Sequence, residues 1–145
     1  MIKVSCSVLV VIICLTAAYP ANEMSAAVDK CQKSQGVSDL ESILNEGSMT
    51  LKDESNEVGR CFIQCLMTEF GILKGDNLDA DTVIAQAQDL VQYVKSQGKE
   101  VDINKIKSSI TDCGNKDGDG KCMKTYKSWT CLSDMARSVA EQKIN

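Results

Sequence analysis

The sequence predicts an all-α fold of about six helices in one secreted domain, cross-linked by three disulfides. Three observations carry this expectation. Apolar residues recur at i, i+3, i+4 and i+7 through most of the chain, which is the period of one helix face. The single proline, Pro20, stands at the edge of the patterned region, so no helix interior is interrupted. Six cysteines follow an apolar N-terminal run, an even set of the kind that staples small secreted domains.

The N-terminal run comes first. Met1-Ile2-Lys3 is short and weakly basic, and Val4 to Ala18 is almost wholly apolar. Thr16 and Ala18 are small residues at the −3 and −1 positions of a cleavage site. This layout reads as a secretory signal peptide over residues 1–18. The apolar stretch is 15 residues, against the roughly 20 that a spanning helix needs. Cleavage after Ala18 would leave one domain over residues 19–145. No later stretch is long and apolar enough to span a bilayer, so the expectation is a secreted, extracellular protein without stable membrane insertion. The remaining 127 residues suffice for one core. Losing Lys3 takes the formal charge from −4 to −5. That mild acidity, without clustered Lys and Arg, argues against a nucleic-acid partner. No Asn-x-Ser/Thr sequon occurs.

The helices follow in order. Met24, Ala27, Val28 and Cys31 form one apolar face, and Gly36 ends that helix. Ser38 is placed to cap a short second helix carrying Leu40, Ile43 and Leu44, stopping at Gly47. Val58, Cys61, Phe62, Cys65 and Leu66 mark a third helix that ends near Gly71. A polar turn, Lys74-Gly75-Asp76-Asn77, comes next. Asp79 or Asp81 begins a fourth helix, with its charge at the positive end of the dipole. Its stripe is Val83, Ile84, Ala87, Leu90, Val91 and Val94, and Gly98 is its stop. A fifth helix carries Ile103, Ile106 and Ile110 to Cys113. A sixth runs from about Cys122 through Tyr126, Trp129 and Leu132 towards Val139. No segment has the period of a strand.

The chemistry is bounded by an absence. The chain has no histidine, which removes Ser-His-Asp and Cys-His nucleophilic machinery and His-ligated zinc. Nothing singles out a pair of carboxylates, so no enzyme and no cofactor are expected. Asn115-Lys116-Asp117-Gly118-Asp119-Gly120 alternates oxygen ligands like an EF-hand loop, with Gly120 at the place of the loop glycine. The bidentate Glu required at position 12 is Tyr126 instead, and position 8 is Cys122. The segment therefore reads as a Gly/Asp turn, with no metal.

After the signal, the cysteines are Cys31, Cys61, Cys65, Cys113, Cys122 and Cys131. Six allow 15 pairings. Cys61 and Cys65 lie one helical turn apart on one face, with roughly parallel Cβ vectors, which suits a bond between them poorly. Each should reach a different partner and clamp the third helix from two sides. The full spacing is Cys31-x29-Cys61-x3-Cys65-x47-Cys113-x8-Cys122-x8-Cys131. The x3 and final x8, with Cys61-Phe62-Ile63-Gln64-Cys65-Leu66-Met67-Thr68-Glu69-Phe70-Gly71-Ile72-Leu73, resemble the six-cysteine class of the insect odorant-binding protein family, pheromone-binding members included. The resemblance runs from about Met24 to Val139. The x47 interval is longer than is usual there, and the extra residues are expected in the fourth helix or around Gly98-Lys99-Glu100.

The resemblance implies pairing of Cys31 with Cys65, Cys61 with Cys122 and Cys113 with Cys131, and helices around an internal apolar cavity. It implies an extracellular carrier of small hydrophobic ligands such as odorants, pheromones or other semiochemicals, with a chemosensory receptor as a further partner and a homodimer left open. By offset from the cysteines it implies ligand contacts at Met67, Ile72, Ile106, Ile110 and Leu132. Trp129, the single tryptophan, is read first as core and second as a ligand contact. The competing reading is a secreted signalling or venom-type interaction module on the same staple, which would present a large exposed apolar patch. With no histidine, a pH response is left to carboxylates, of which Asp134 and Glu141 follow the last cysteine and are placed to latch a C-terminal lid.

Overall fold

The computed structural model describes residues 21–140, Gly47 apart, and within it the side chains of all but Ala21, Asn22, Leu90, Val139 and Ala140. The expected signal peptide, the Gly47 stop and Glu141 lie outside the described residues. Six helices are present among them: α1 (Ala21–Gln35), α2 (Glu57–Glu69), α3 (Ala80–Gln86), α4 (Gln88–Ser96), α5 (Ile103–Gly114) and α6 (Met123–Ala140). Two two-residue strands, β1 (Leu73–Lys74) and β2 (Asn77–Leu78), pair antiparallel across the turn at Gly75-Asp76. The polar turn was legible, but a ladder this short carries no periodicity to read.

Local chemistry explains the helix ends. Gly36 follows α1 at φ +69°, a left-handed conformation that glycine reaches without a Cβ penalty. Asn56 caps α2, its side-chain oxygen accepting from the Gly59 amide at 3.1 Å. Asp102 does the same for α5, accepting from the Lys105 amide. Asp79 starts α3, accepting from the Thr82 hydroxyl and pairing with Lys74 at 3.0 Å. The Thr82 hydrogen bond first, and Lys74 second, hold its carboxyl below the usual range.

The helix count agrees with the sequence reading through two offsetting differences. The expected second helix does not form. Residues 38–56 instead make a strap of turns in which Leu40 accepts from Ile43 and Leu44 and Leu44 bridges Leu51 antiparallel. Its apolar residues are partly buried and pack against the core, but they are too few to close successive helical turns, and nucleating so short a helix is unfavourable. The expected fourth helix is broken at Ala87 into α3 and α4. Its apolar stripe then serves two neighbours. Val83 joins the main core, whereas Val91 and Val94 are buried on α4, which packs on α6. Val58, expected on the inner face of α2, is instead 48% exposed. The strap covers the neighbouring position, Gly59, and leaves Val58 facing outward.

The three disulfides connect the helices in series. Cys31–Cys65 joins α1 to α2, Cys61–Cys122 joins α2 to the turn before α6, and Cys113–Cys131 joins α5 to α6. The pairing is the one the resemblance implies. Only α3 and α4 are held by packing alone, against α5 and α6. At the centre lie Phe62, Ile63, Met67, Ile110 and Leu132, each essentially without solvent exposure.

Two expectations follow. Replacing each bridge by a Ser pair should lower stability by about 3–4 kcal/mol, most for Cys61–Cys122, because loop-closure entropy grows with the enclosed loop and the separations are 61, 34 and 18 residues; urea unfolding of the three variants would give the order. Asp79 and Asp53 both have lowered folded-state values. Their contribution is therefore complete above the unfolded carboxylate value and lost as pH falls through the lower, folded one, so acid destabilisation should start only below about pH 4. Thermal melts from pH 7 to pH 3 would locate that onset.

Candidate functional site

The residues nominated from the sequence come from three elements. Met67 sits on the inner face of α2, and Ile72 follows the turn after it, its amide donating to the Met67 carbonyl at 3.1 Å. Ile106 and Ile110 stand one turn apart on α5. Trp129 and Leu132 stand three residues apart on α6. All six belong to a single apolar cluster with Phe62 and Ile63. Met67, Ile72, Ile110, Leu132 and Trp129 are buried, and Ile106 is partly buried. The cluster also takes Val37, Leu51, Leu66, Phe70, Val83 and Tyr126, which the cysteine offsets do not single out.

Trp129 has a defined structural duty. Its indole Nε1–H donates to the Met49 carbonyl at 2.8 Å, and three residues earlier on α6 the Tyr126 hydroxyl accepts from the Leu51 amide at 2.9 Å. Together they hold the strap onto α6. Burial pushes the Tyr126 phenol above its ordinary value. Leu51 completes the attachment from the other side, seating on α2 where Gly59 has no side chain: a Cβ there would lie 2.6 Å from Leu51 Cδ2. The spacing of Tyr126 and Trp129 put them on one helix face, but nothing in the sequence names the backbone atoms of a strap as their partners.

The surroundings of the cluster are electrostatically quiet. Arg60 is the buried cation beside it, and its guanidinium donates to the Lys121 and Glu54 carbonyls at 3.0 and 2.8 Å. Thr125 donates to Gln64 at 2.7 Å, and Gln86 donates to the Phe70 carbonyl at 2.7 Å. The ion pairs, such as Lys30–Glu69 and Lys127–Glu54, involve partly or largely exposed side chains. No group of three or more Cys, Asp or Glu side chains among the described residues is arranged to hold a metal ion, and residues 115–122 form an open turn. Asp134 pairs with Arg137 at 2.8 Å, the two standing at i and i+3 on one exposed face of α6.

The arrangement gathers one buried apolar cluster from α2, α5 and α6, aliphatic and aromatic side chains together, with Arg60, Thr125 and Gln86 at its margins. Ile106 also lines a cleft of about 240 Å³ between α5 and α6, together with Val101, Met135, Ser109 and Ser138.

A helical domain with three bridges in this order and spacing defines the six-cysteine class of all-α binding proteins. The chain belongs to the PBP/GOBP family, the insect pheromone- and odorant-binding proteins, whose family model matches residues 15–134. It is a family of binding proteins rather than enzymes. Neither a curated protein nor a solved structure matches the chain.

The strap gives a direct test of this geometry. Tyr126→Phe would leave the buried Leu51 amide without an acceptor, and Trp129→Phe would orphan the Met49 carbonyl. Each should cost about 1–3 kcal/mol and speed amide exchange selectively over residues 44–51, with α5 unaffected; exchange followed by mass spectrometry would resolve the segments.

Proposed function

We propose that the protein is an extracellular carrier that binds and transports small hydrophobic ligands such as odorants, pheromones or other semiochemicals, and that residues 1–18 are the signal peptide that directs its secretion. The observation that carries this reading is membership of the PBP/GOBP family across residues 15–134. The apolar cluster supports it. Met67, Ile72, Ile110 and Leu132 are the proposed ligand contacts, with Ile106 at the edge. Trp129 belongs to the same set, and its primary duty is to hold the strap. Removing apolar ligand surface from water drives such binding at about 25 cal/mol per Å². Met67 suits a site that must adapt, being unbranched and polarisable.

The chemistry of the cluster sets a broad ligand class. Phe62, Phe70, Tyr126 and Trp129 join the aliphatic side chains in the cluster, so its chemistry is mixed apolar and suits aliphatic, terpenoid and aromatic ligands alike. The reading as a secreted interaction module is less well supported. Among the described residues the exposed large apolar side chains are Val58 and Tyr93, single residues on different helices rather than one broad patch.

The test is saturable uptake of the fluorescent apolar probe N-phenyl-1-naphthylamine by the oxidised protein, with displacement by aliphatic alcohols and esters. Absence of probe uptake by correctly bridged protein would sink the carrier reading. Affinity should stay nearly constant from about pH 7.5 to 5.5 and fall only below about pH 5, because no histidine is present and unperturbed carboxylates titrate near pH 4. A steep loss centred near pH 6 would contradict this.

A further inference from the structure

The segment between α5 and α6 carries two Asp-Gly peptide bonds, Asp117–Gly118 and Asp119–Gly120, which the apolar cluster does not use. An Asp-Gly bond can isomerise without an enzyme, because glycine has no side chain to keep its amide nitrogen away from the carboxyl carbon of the preceding aspartate. No hydrogen bond or ion pair among the described residues engages either carboxylate or either glycine amide, so packing alone separates the two bonds. Gly118 is half-buried and seated on the first turn of α6: a Cβ there would lie 2.6 Å from Met123 Cγ and 2.9 Å from the Lys124 amide nitrogen. Its peptide plane has no room to turn. Asp119 and Gly120 are both exposed, and Gly120 stands at φ +103°, a region that glycine enters at little cost. The carbonyls that follow are committed. That of Gly120 accepts from the Met123 amide at 3.2 Å, at the start of α6, and that of Lys121 accepts from Arg60 Nε at 3.0 Å. The same guanidinium donates through Nη1 to the Glu54 carbonyl of the strap at 2.8 Å.

We infer that Asp119–Gly120 is a site of spontaneous isoaspartate formation, and that isomerisation there releases the Arg60 clasp between this loop and the strap. The Gly120 nitrogen attacks Cγ of the protonated Asp119 carboxyl group. The N–Cγ bond forms, and one carboxyl oxygen leaves as water with its own proton and the amide proton. Water then adds back to the five-membered succinimide. Cleavage of the N–Cγ bond restores aspartate. Cleavage of the bond from nitrogen to the main-chain carbonyl carbon leaves the chain running through Cγ, with that carbonyl now a free carboxylate. One water leaves and one returns, so the reaction needs no oxidant or reductant, and the charge is unchanged. The backbone gains one methylene between Asp119 and Gly120. Arg60 closes on this loop with little slack, since a Cβ on Gly120 would lie 3.2 Å from its Nη2. The lengthened segment cannot keep both the Gly120 carbonyl on Met123 and the Lys121 carbonyl on Arg60. A guanidinium this buried then loses one of the two acceptors that hold it in place.

The experiment holds the oxidised protein at about 37 °C and pH 7.4 and reads the tryptic peptide from Asp117 to Lys121 by electron-transfer fragmentation, which distinguishes the two linkages. Asp119 should isomerise several-fold faster than Asp117 in the folded protein, and the two should react at similar rates in the reduced, unfolded chain. Asp119→Glu, whose ring would be six-membered and closes far more slowly, should remove the product, and Asp117→Glu should leave it. Aged protein should exchange its amides faster over residues 44–56 than fresh protein, whereas aged Asp119→Glu should not. Equal rates at the two bonds of the folded protein, or no isoaspartate at Asp119, would overturn the site. Isoaspartate at Asp119 with unchanged exchange over the strap would overturn the release of the clasp.

Discussion

Everything in this fold depends on α2 being covalently held at two points one helical turn apart. Cys61 and Cys65 share a helix face yet bond to different partners, the turn before α6 and α1. Because the α5–α6 bridge then extends the series, four of the six helices form one cross-linked frame. The frame fixes which faces meet. Phe62, Ile63, Leu66 and Met67 lie between and just beyond the two cysteines, so the bridges direct them into the core. A domain of this size has limited apolar area to bury, and restricting the unfolded chain by three loops compensates for it.

The frame leaves two regions to weaker forces. The strap over residues 38–56 lacks regular structure and is held by single hydrogen bonds from Tyr126 and Trp129, the Arg60 clasp on Glu54, and Leu51 seated against Gly59. Helices α3 and α4 carry no cysteine and rest on α5 and α6. The long interval between Cys65 and Cys113 is absorbed there, in a β-turn, two short helices and the 97–102 connection, and that connection supplies Val101 to the α5–α6 cleft.

The candidate site was partly legible. Met67, Ile72, Ile106, Ile110, Leu132 and Trp129 were nominated from offsets to cysteines, and they come together because the cysteines themselves come together. Leu51 and Val83 were less accessible to that reasoning, since they reach the cluster through a strap and a helix with no bridge. Trp129 illustrates the limit well. Periodicity placed its ring on the inner face of α6, but its hydrogen-bond partner is a carbonyl 80 residues away in the chain.

By itself the sequence determined the helical class, the boundaries of the longer helices and, through cysteine spacing, the resemblance that supplied the covalent pairing. These follow from local rules: a 3.6-residue period, terminating glycines such as Gly36, and thiols in fixed register. The tertiary structure decided the rest. It turned the Leu40–Leu44 stretch into a strap, broke the fourth helix at Ala87, turned Val58 outward and opened the cleft beside Ile106. Each of these depends on what packs against a segment from far along the chain. A short apolar run has too little cooperative helix energy of its own to resist such contacts.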